Sequence, residues 1–389
     1  MAMNTDNKEK YTKWVACWGT ATSITERKEA IYAKDLTLQY PIKMAFSGSS
    51  LRLHLSNLTG NEAVEITKTF LLHNGKAHEV FFTGEKTARI EAGKDILSDE
   101  IELEVKRGDE VTVSFYLGSF TQMNAGTLLS GPRSKGVYAY GDFATVHFSD
   151  IPSDKKRNTN WFYFLNTLDI LTEEKNFALI CYGDSITAQS WTDYLSIRCE
   201  DEGFSHIAVI RRAVCGTRIL RQYDCLTYQA YGLKGSTRFP LEMQTAGAKA
   251  LIIQHGINDI IHPVGVETNI FRPWSDMPTS QDLIEGVKNI YIKTARELGL
   301  KVYSGTLLPI YQWRTYADFR DKIRNEFNEY LRTSSDFDGC VDFDKAVRDE
   351  KSPFMFKEGF DSGDHLHPSE SAYKAMAQAV PSSILGEKS

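Results

Sequence analysis

The sequence predicts an α/β chain in two parts, an antiparallel β-sandwich followed by a parallel sheet with helices on both faces. The prediction rests first on the hydrophobic period, which changes near residue 160 from strict alternation to buried runs separated by helical spacing. Short alternating segments bounded by turn chemistry precede that change. Strand and helix signals take turns after it, as they do in βαβ units.

In the first part, Ser50-Leu51-Arg52-Leu53-His54-Leu55 sets three leucines on one face of a strand and polar residues on the other. Glu100 to Val105 and Glu110 to Phe115 repeat the scheme. Asn74-Gly75, Thr83-Gly84, Ala92-Gly93 and Gly108-Asp109 supply turns between such runs. The polar stretch Ser149 to Arg157 reads as a linker, which sets a sandwich domain at 1–158 and a second domain at 159–389.

In the second part, Phe177 to Tyr182 is a continuous apolar run ending at Gly183, with a helical stretch toward Glu202 behind it. His206 to Ile210, Ala248 to Gln254, Lys301 to Gly305 and Gly339 to Phe343 read as the following strands. Leu283, Val287, Ile290, Tyr291, Ala295 and Leu298 fall at helical spacing, with Thr279 or Ser280 to cap the start and Gly299 to end it. Ser369 to Val380 predicts a terminal helix.

Composition bounds the class of partner. Of 389 residues, 42% are hydrophobic and 25% charged, which excludes a disordered or collagen-like chain. Forty-five basic against 51 acidic residues leave a net charge of -6, which argues against nucleic acid, and the longest basic run is only Lys155-Lys156-Arg157. No apolar run is long enough to span a bilayer, so no membrane partner is expected. The six cysteines show no paired spacing and read as free thiols. Met1 to Lys13 is polar and lacks an apolar core, so the chain as given reads as cytoplasmic, or as secreted if a leader has been removed. The sequence specifies no oligomeric state.

At the carboxyl ends of parallel strands, where ligands of such sheets bind, four short blocks stand out. Gly183-Asp184-Ser185 follows the first strand. Either Asp184 or Ser185 merely caps the next helix, or Ser185 presents its hydroxyl at the sheet edge; no second glycine follows to make a GxSxG elbow. Gly216 follows the second strand and Gly256-Ile257-Asn258-Asp259 the third, each readable as a plain turn. Asn258 is equally suited to donate its amide to a developing oxyanion. In Asp364-His365-Leu366-His367-Pro368, an aspartate three residues before a histidine is able to hold the ring in one tautomer and leave the other nitrogen to take a serine proton. Asp364, His365, His367 and Glu370 also have ligand types and spacing for a metal, but no Cys or further His stands near to complete a site, and no metal is expected.

Together these four blocks, in this order, resemble the SGNH hydrolases, also called the GDSL esterase/lipase family, over about Phe177 to Val380. The resemblance implies a flavodoxin-like parallel-sheet domain in which Ser185 is the nucleophile and Asp364 and His367 complete a triad. It also implies an oxyanion hole made by the Ser185 backbone N–H, Gly216 and Asn258, with no cofactor. The second block departs from the usual pattern, because Arg212-Ala213 stand where an Asn or a further Gly is common. Trp14 to Thr20, Leu51 to Asn57, Ser98-Asp99-Glu100 and Thr306-Leu307-Leu308-Pro309 are similar to two-domain bacterial SGNH esterases that carry a β-sandwich ahead of the hydrolase. That subgroup implies a serine esterase removing short acyl groups, chiefly O-acetyl, from plant polysaccharides or oligosaccharides. A short-chain carboxylesterase or lysophospholipase is the alternative, and a carbohydrate-binding protein with an inert second domain is another. Trp274, Tyr311 and Trp313 follow strands three and four, and read either as sugar-stacking residues or as cover for a domain junction.

Overall fold

A computed structural model describes residues 10–24, 31–223 and 225–388. The polar opening at Met1 to Lys13 lies outside the described residues up to position 9. The chain folds into two units, Met1–Ala178 with Ser205–Ile210 and Leu179–Phe204 with Arg211–Ser389. Among the described residues no helix is long and apolar enough to cross a membrane.

The first unit is built on antiparallel sheets. Its main strands are β1 (Lys13–Gly19), β2 (Leu36–Lys43), β3 (Gly48–Ser56), β4 (Glu110–Leu117) and β5 (Leu165–Thr172). A five-stranded sheet places β5 between β1 and β3, and a six-stranded sheet has β2 and β4 as neighbours. The leucines of β3 are buried as its alternation predicts. Its outward Arg52 and His54 both reach buried Asp169 of β5, at 2.9 and 2.7 Å. β2 is enclosed on both faces instead, because the Gln39 amide donates to the carbonyls of Phe143 and Val146 in a covering loop. Tyr40 of β2 stacks on Phe162 at 4.6 Å and meets Phe115 of β4 edge-on, filling the sandwich core.

The second sheet orders its strands β7-β6-β8-β9-β10, where β6 is Phe177–Gly183, β7 Ile207–Ala213, β8 Ala248–Gln254, β9 Lys301–Gly305 and β10 Gly339–Val341. This is the 2-1-3-4-5 order of flavodoxin-like sheets, and β8, β9 and β10 pair in parallel register. Its helices include α1 (Ser185–Ala188), α2 (Trp191–Asp201), α3 (Gly235–Glu242), α4 (Ile257–Ile261), α5 (Ser280–Gly286), α6 (Asp318–Thr333), α7 (Phe343–Val347) and α8 (Glu370–Ala379). They gather in two sets: α8 packs on α2 and α7, while α6 packs on α4 and α5.

Thr279 starts α5 with a capping box, its hydroxyl receiving the Asp282 amide while Asp282 receives the Thr279 amide. The helix then runs through a π-turn at Val287–Ile292 to Lys293–Glu297, and Gly299 follows its end. Ser369 caps α8, the predicted terminal helix. Helix α6 has no counterpart in the apolar pattern because its inner face carries Arg320, Asp321, Arg324 and Asn328, all buried.

Candidate active site

The carboxyl ends of β6 and β8 flank the point where the chain reverses its direction across the sheet, and Ser185 and Asn258 follow those two ends. Gly183 closes β6 against its neighbour: a Cβ there would lie 2.4 Å from the Gln254 carbonyl oxygen of β8. In the Gly-Asp-Ser block the helix cap and the serine hydroxyl belong to different residues. Asp184 caps α1, its carboxylate accepting from the Ile186 amide at 3.1 Å. The Ser185 hydroxyl is left for another partner, and its Oγ lies 2.9 Å from His367 Nε2.

The loop before α8 positions that imidazole. His367 Nδ1 donates to Asp364 Oδ2 at 2.6 Å. The other oxygen, Oδ1, accepts from the backbone N–H groups of His367 and Leu366, at 2.8 and 3.0 Å, and from the Ser362 hydroxyl at 3.1 Å. Burial works against ionisation of Asp364, but the His367 ring and these amides outweigh it and hold the carboxyl well below the usual range. Asp364 is therefore a fixed anion at neutral pH, able to stabilise an imidazolium on His367. The His367 side chain is 24% exposed, so an ester is able to reach it. His365 does not join this pair: its Nδ1 is bound to Asp361, and its ring thus serves a different carboxylate. Among the described residues no three His, Cys, Asp or Glu side chains group as a metal would need.

The two remaining motifs are tied to one another. Gly216 has φ +78°, and a Cβ on it would lie 2.2 Å from Cδ1 of Tyr231, so both backbone and space require glycine. Asn258 Nδ2 donates one hydrogen to the Thr217 carbonyl at 3.1 Å, which fixes the amide and leaves its second hydrogen to donate elsewhere. Asp259 takes the backbone N–H groups of Ile219 and Leu220, at 2.7 and 3.0 Å, and so anchors the loop that carries Gly216. Burial, opposed by those two amides, raises the Asp259 carboxyl to about 6. His255 is a packing residue: buried, it sits with Nδ1 2.8 Å from the Tyr291 hydroxyl and Nε2 3.1 Å from the Thr217 carbonyl. Burial, reinforced by the charge of Arg238, lowers it to about 3, so it stays neutral.

The aromatic residues singled out by the sequence lie in groups of their own. Trp274 donates to Glu267 at 3.0 Å and meets Phe319 edge-on. Tyr311 packs edge-on against Tyr316 and Phe354, and Arg314 lies over Trp313. None of these contacts reaches Ser185 or His367. Sequence reasoning passed over Thr217 and Arg238, which build the site from below. Buried Arg238 on α3 donates to the Gly183 carbonyl at 2.8 Å and pairs with Glu242 at 3.0 Å. In sequence that i, i+4 pair looks like an ordinary surface ion pair.

The family model for GDSL-like Lipase/Acylhydrolase matches residues 179–380. No curated protein matches the chain in sequence. Among solved structures, the chain is similar to a lipase from a goat rumen metagenome, at 16% identity over 54% of this chain and 98% of that one, with a TM-score of 0.38. An acetylxylan esterase from Geobacillus stearothermophilus is similar at 14% identity over 54% and 94% of the two chains, with a TM-score of 0.38. A family two carbohydrate esterase from Cellvibrio japonicus is similar at 12% identity over 95% of this chain and 96% of that one, with a TM-score of 0.32.

Proposed function

The chain belongs to the GDSL-like lipase/acylhydrolase family, and from that premise we propose that it is a serine esterase working through an acyl-enzyme at Ser185. The observation that supports this most is the continuous contact from Ser185 Oγ to His367 Nε2, at 2.9 Å, and from His367 Nδ1 to Asp364, at 2.6 Å.

In this mechanism His367 Nε2 takes the Ser185 proton as Oγ attacks the ester carbonyl, and Asp364 holds the ring and its new charge. The oxyanion forms between the backbone N–H groups of Ser185 and Gly216 and the second amide hydrogen of Asn258. A fixed donor of this kind lowers the barrier by about 3 kcal/mol. The tetrahedral adduct collapses, His367 returns its proton to the departing alcohol, and the acyl group stays on Ser185. Water then repeats the attack with His367 as base, releasing the acid and the free serine.

The preferred substrates in this reading are short acyl esters, chiefly O-acetyl groups on plant polysaccharides or oligosaccharides. Trp274, 48% exposed, and the half-buried Tyr311 and Trp313 are the proposed stacking surfaces for sugar rings. A short-chain carboxylesterase or lysophospholipase has one observation in its favour, the exposed apolar side chains of Val266, Ile270 and Phe271 in the loop beyond β8.

Turnover of 4-nitrophenyl acetate, 4-nitrophenyl octanoate and acetylated xylan by wild type and Ser185→Ala separates these readings. Ser185→Ala is expected to lose on the order of 10⁴-fold or more in kcat on every substrate. Undiminished turnover by that variant removes the serine from the mechanism. Preference for octanoate over acetate and xylan by the wild type replaces the carbohydrate reading with the lipid one.

A further inference from the structure

The Gly216 turn is packed against an aromatic cluster that the mechanism does not use. Tyr231 lies so close to Gly216 that a Cβ would stand 2.2 Å from Cδ1 and 2.4 Å from Cγ of its ring. The ring is held in turn by others. It stacks on His262 at 5.2 Å and 28°, and on Tyr228 at 5.6 Å and 29°. Tyr223 packs on Tyr228 at 4.7 Å, and the guanidinium of Arg218 lies 4.4 Å over the Tyr223 ring. Arg218, two residues beyond Gly216, is itself buried and fixed by Asp276 at 3.2 Å. Tyr231 is therefore a braced wall beside the proposed oxyanion donor, with little freedom to swing away.

Its side of the site follows from the fold. His367 arrives on the loop before α8, which packs with α2 and α7. Tyr231 stacks on His262, which ends α4, and α4 packs on α6 in the other helix set. In the tetrahedral adduct the departing oxygen must face His367 to receive its proton. With the oxyanion held by Gly216 and Asn258, the acyl substituent is the group turned away from His367.

We propose that Tyr231 sets acyl-chain length: its ring, seated on Gly216, closes the acyl side of the site and restricts substrates to short acyl groups. This rests on the serine-esterase reading and sharpens its substrate class. A wall of this kind discriminates by excluding methylenes, and its removal opens room for them without supplying any catalytic group.

The test is the ratio of kcat/KM for 4-nitrophenyl octanoate to that for 4-nitrophenyl acetate, measured in wild type, Tyr231→Ala, Tyr231→Leu and Tyr231→Phe. Both rates come from the same preparation, so partial misfolding cancels from the ratio. The ratio is expected to rise about tenfold or more in Tyr231→Ala and by less in Tyr231→Leu. Tyr231→Phe, which keeps the ring, is expected to hold the wild-type ratio. Equal loss of both rates in Tyr231→Ala, with the ratio within about twofold of wild type, reduces Tyr231 to a support for Gly216 and overturns the proposal. A Phe variant as relaxed as the Ala variant overturns it too. Ser185→Ala in the same panel isolates the other failure: wild-type turnover there sinks the underlying esterase reading, and the proposal with it.

Discussion

Two histidines, His255 at the end of β8 and His367 in the loop before α8, show how environment, rather than residue type, assigns a role. His367 is partly open, hydrogen-bonded to a fixed carboxylate and in reach of a hydroxyl. His255 is enclosed, with both ring nitrogens occupied, and its value of about 3 follows from burial first and the charge of Arg238 second. The difference has a measurable sign. Between about pH 3 and the ordinary histidine value, the unfolded chain binds a proton at His255 that the folded chain does not. Its contribution to stability is thus complete above that window and lost as pH falls through it. His255→Gln is expected to abolish this loss, so that from pH 6 to pH 4 the variant gains on wild type by about 1.4 kcal/mol per pH unit in chemical denaturation. Parallel pH profiles for the two proteins would show that His255 is protonated in the fold. Asp184 contributes the opposite slope, since burial pushes its carboxyl up to about 7 against the Ile186 amide and the charges of His367 and Arg238. The comparison of variant with wild type isolates the histidine from it.

Elements were legible where an apolar stripe or a cap writes them into the sequence, and hidden where charge does the packing. The strand ends at Gln254 and Gly305 and the cap at Thr279 are plain from period and cap chemistry. Strand β5 is not, because Asn166, Thr167 and Asp169 interrupt its apolar run, with Asp169 on the outward face bound to Arg52 and His54. Helix α6 is hidden for the same reason. Its Arg324 is buried against Asp344 of α7 at 3.0 Å, and Arg332 and Arg348 reach the same carboxylate at 2.7 and 2.8 Å. Asp344→Ala leaves Arg324 buried with one of its counter-charges gone. A loss of about 3 kcal/mol in urea unfolding is expected, against under about 0.5 kcal/mol for Lys345→Ala on the exposed side of α7. Equal small losses from both would mean that the buried network adds nothing to the hold of α6 on α7. At the site the same division applies. Ser185, Asn258, Asp364 and His367 announce themselves by motif, whereas Thr217, Arg238 and Tyr231 act through contacts between segments far apart in sequence.

Across the whole molecule, alternating strands form the antiparallel sheets and continuous apolar runs the parallel one, and β5 at Leu165–Thr172, beyond the change of period near residue 160, still pairs antiparallel with β1 and β3. The pairing of Lys13 with Thr172 has no such signature, because strand partners 159 residues apart leave no local pattern. The parallel sheet bears on the proposed site through its strand order, which sets the ends of β6, β7 and β8 side by side and brings Ser185, Gly216 and Asn258 to one edge. Whether that edge carries an acyl-enzyme is decided by reaction with a fluorophosphonate, followed by mass spectrometry of the modified peptide. One adduct is expected, on Ser185, with loss of ester hydrolysis in proportion to its occupancy and no adduct in Ser185→Ala. Full occupancy of Ser185 with hydrolysis undiminished, or complete inactivation by an adduct on another residue, would contradict the assignment.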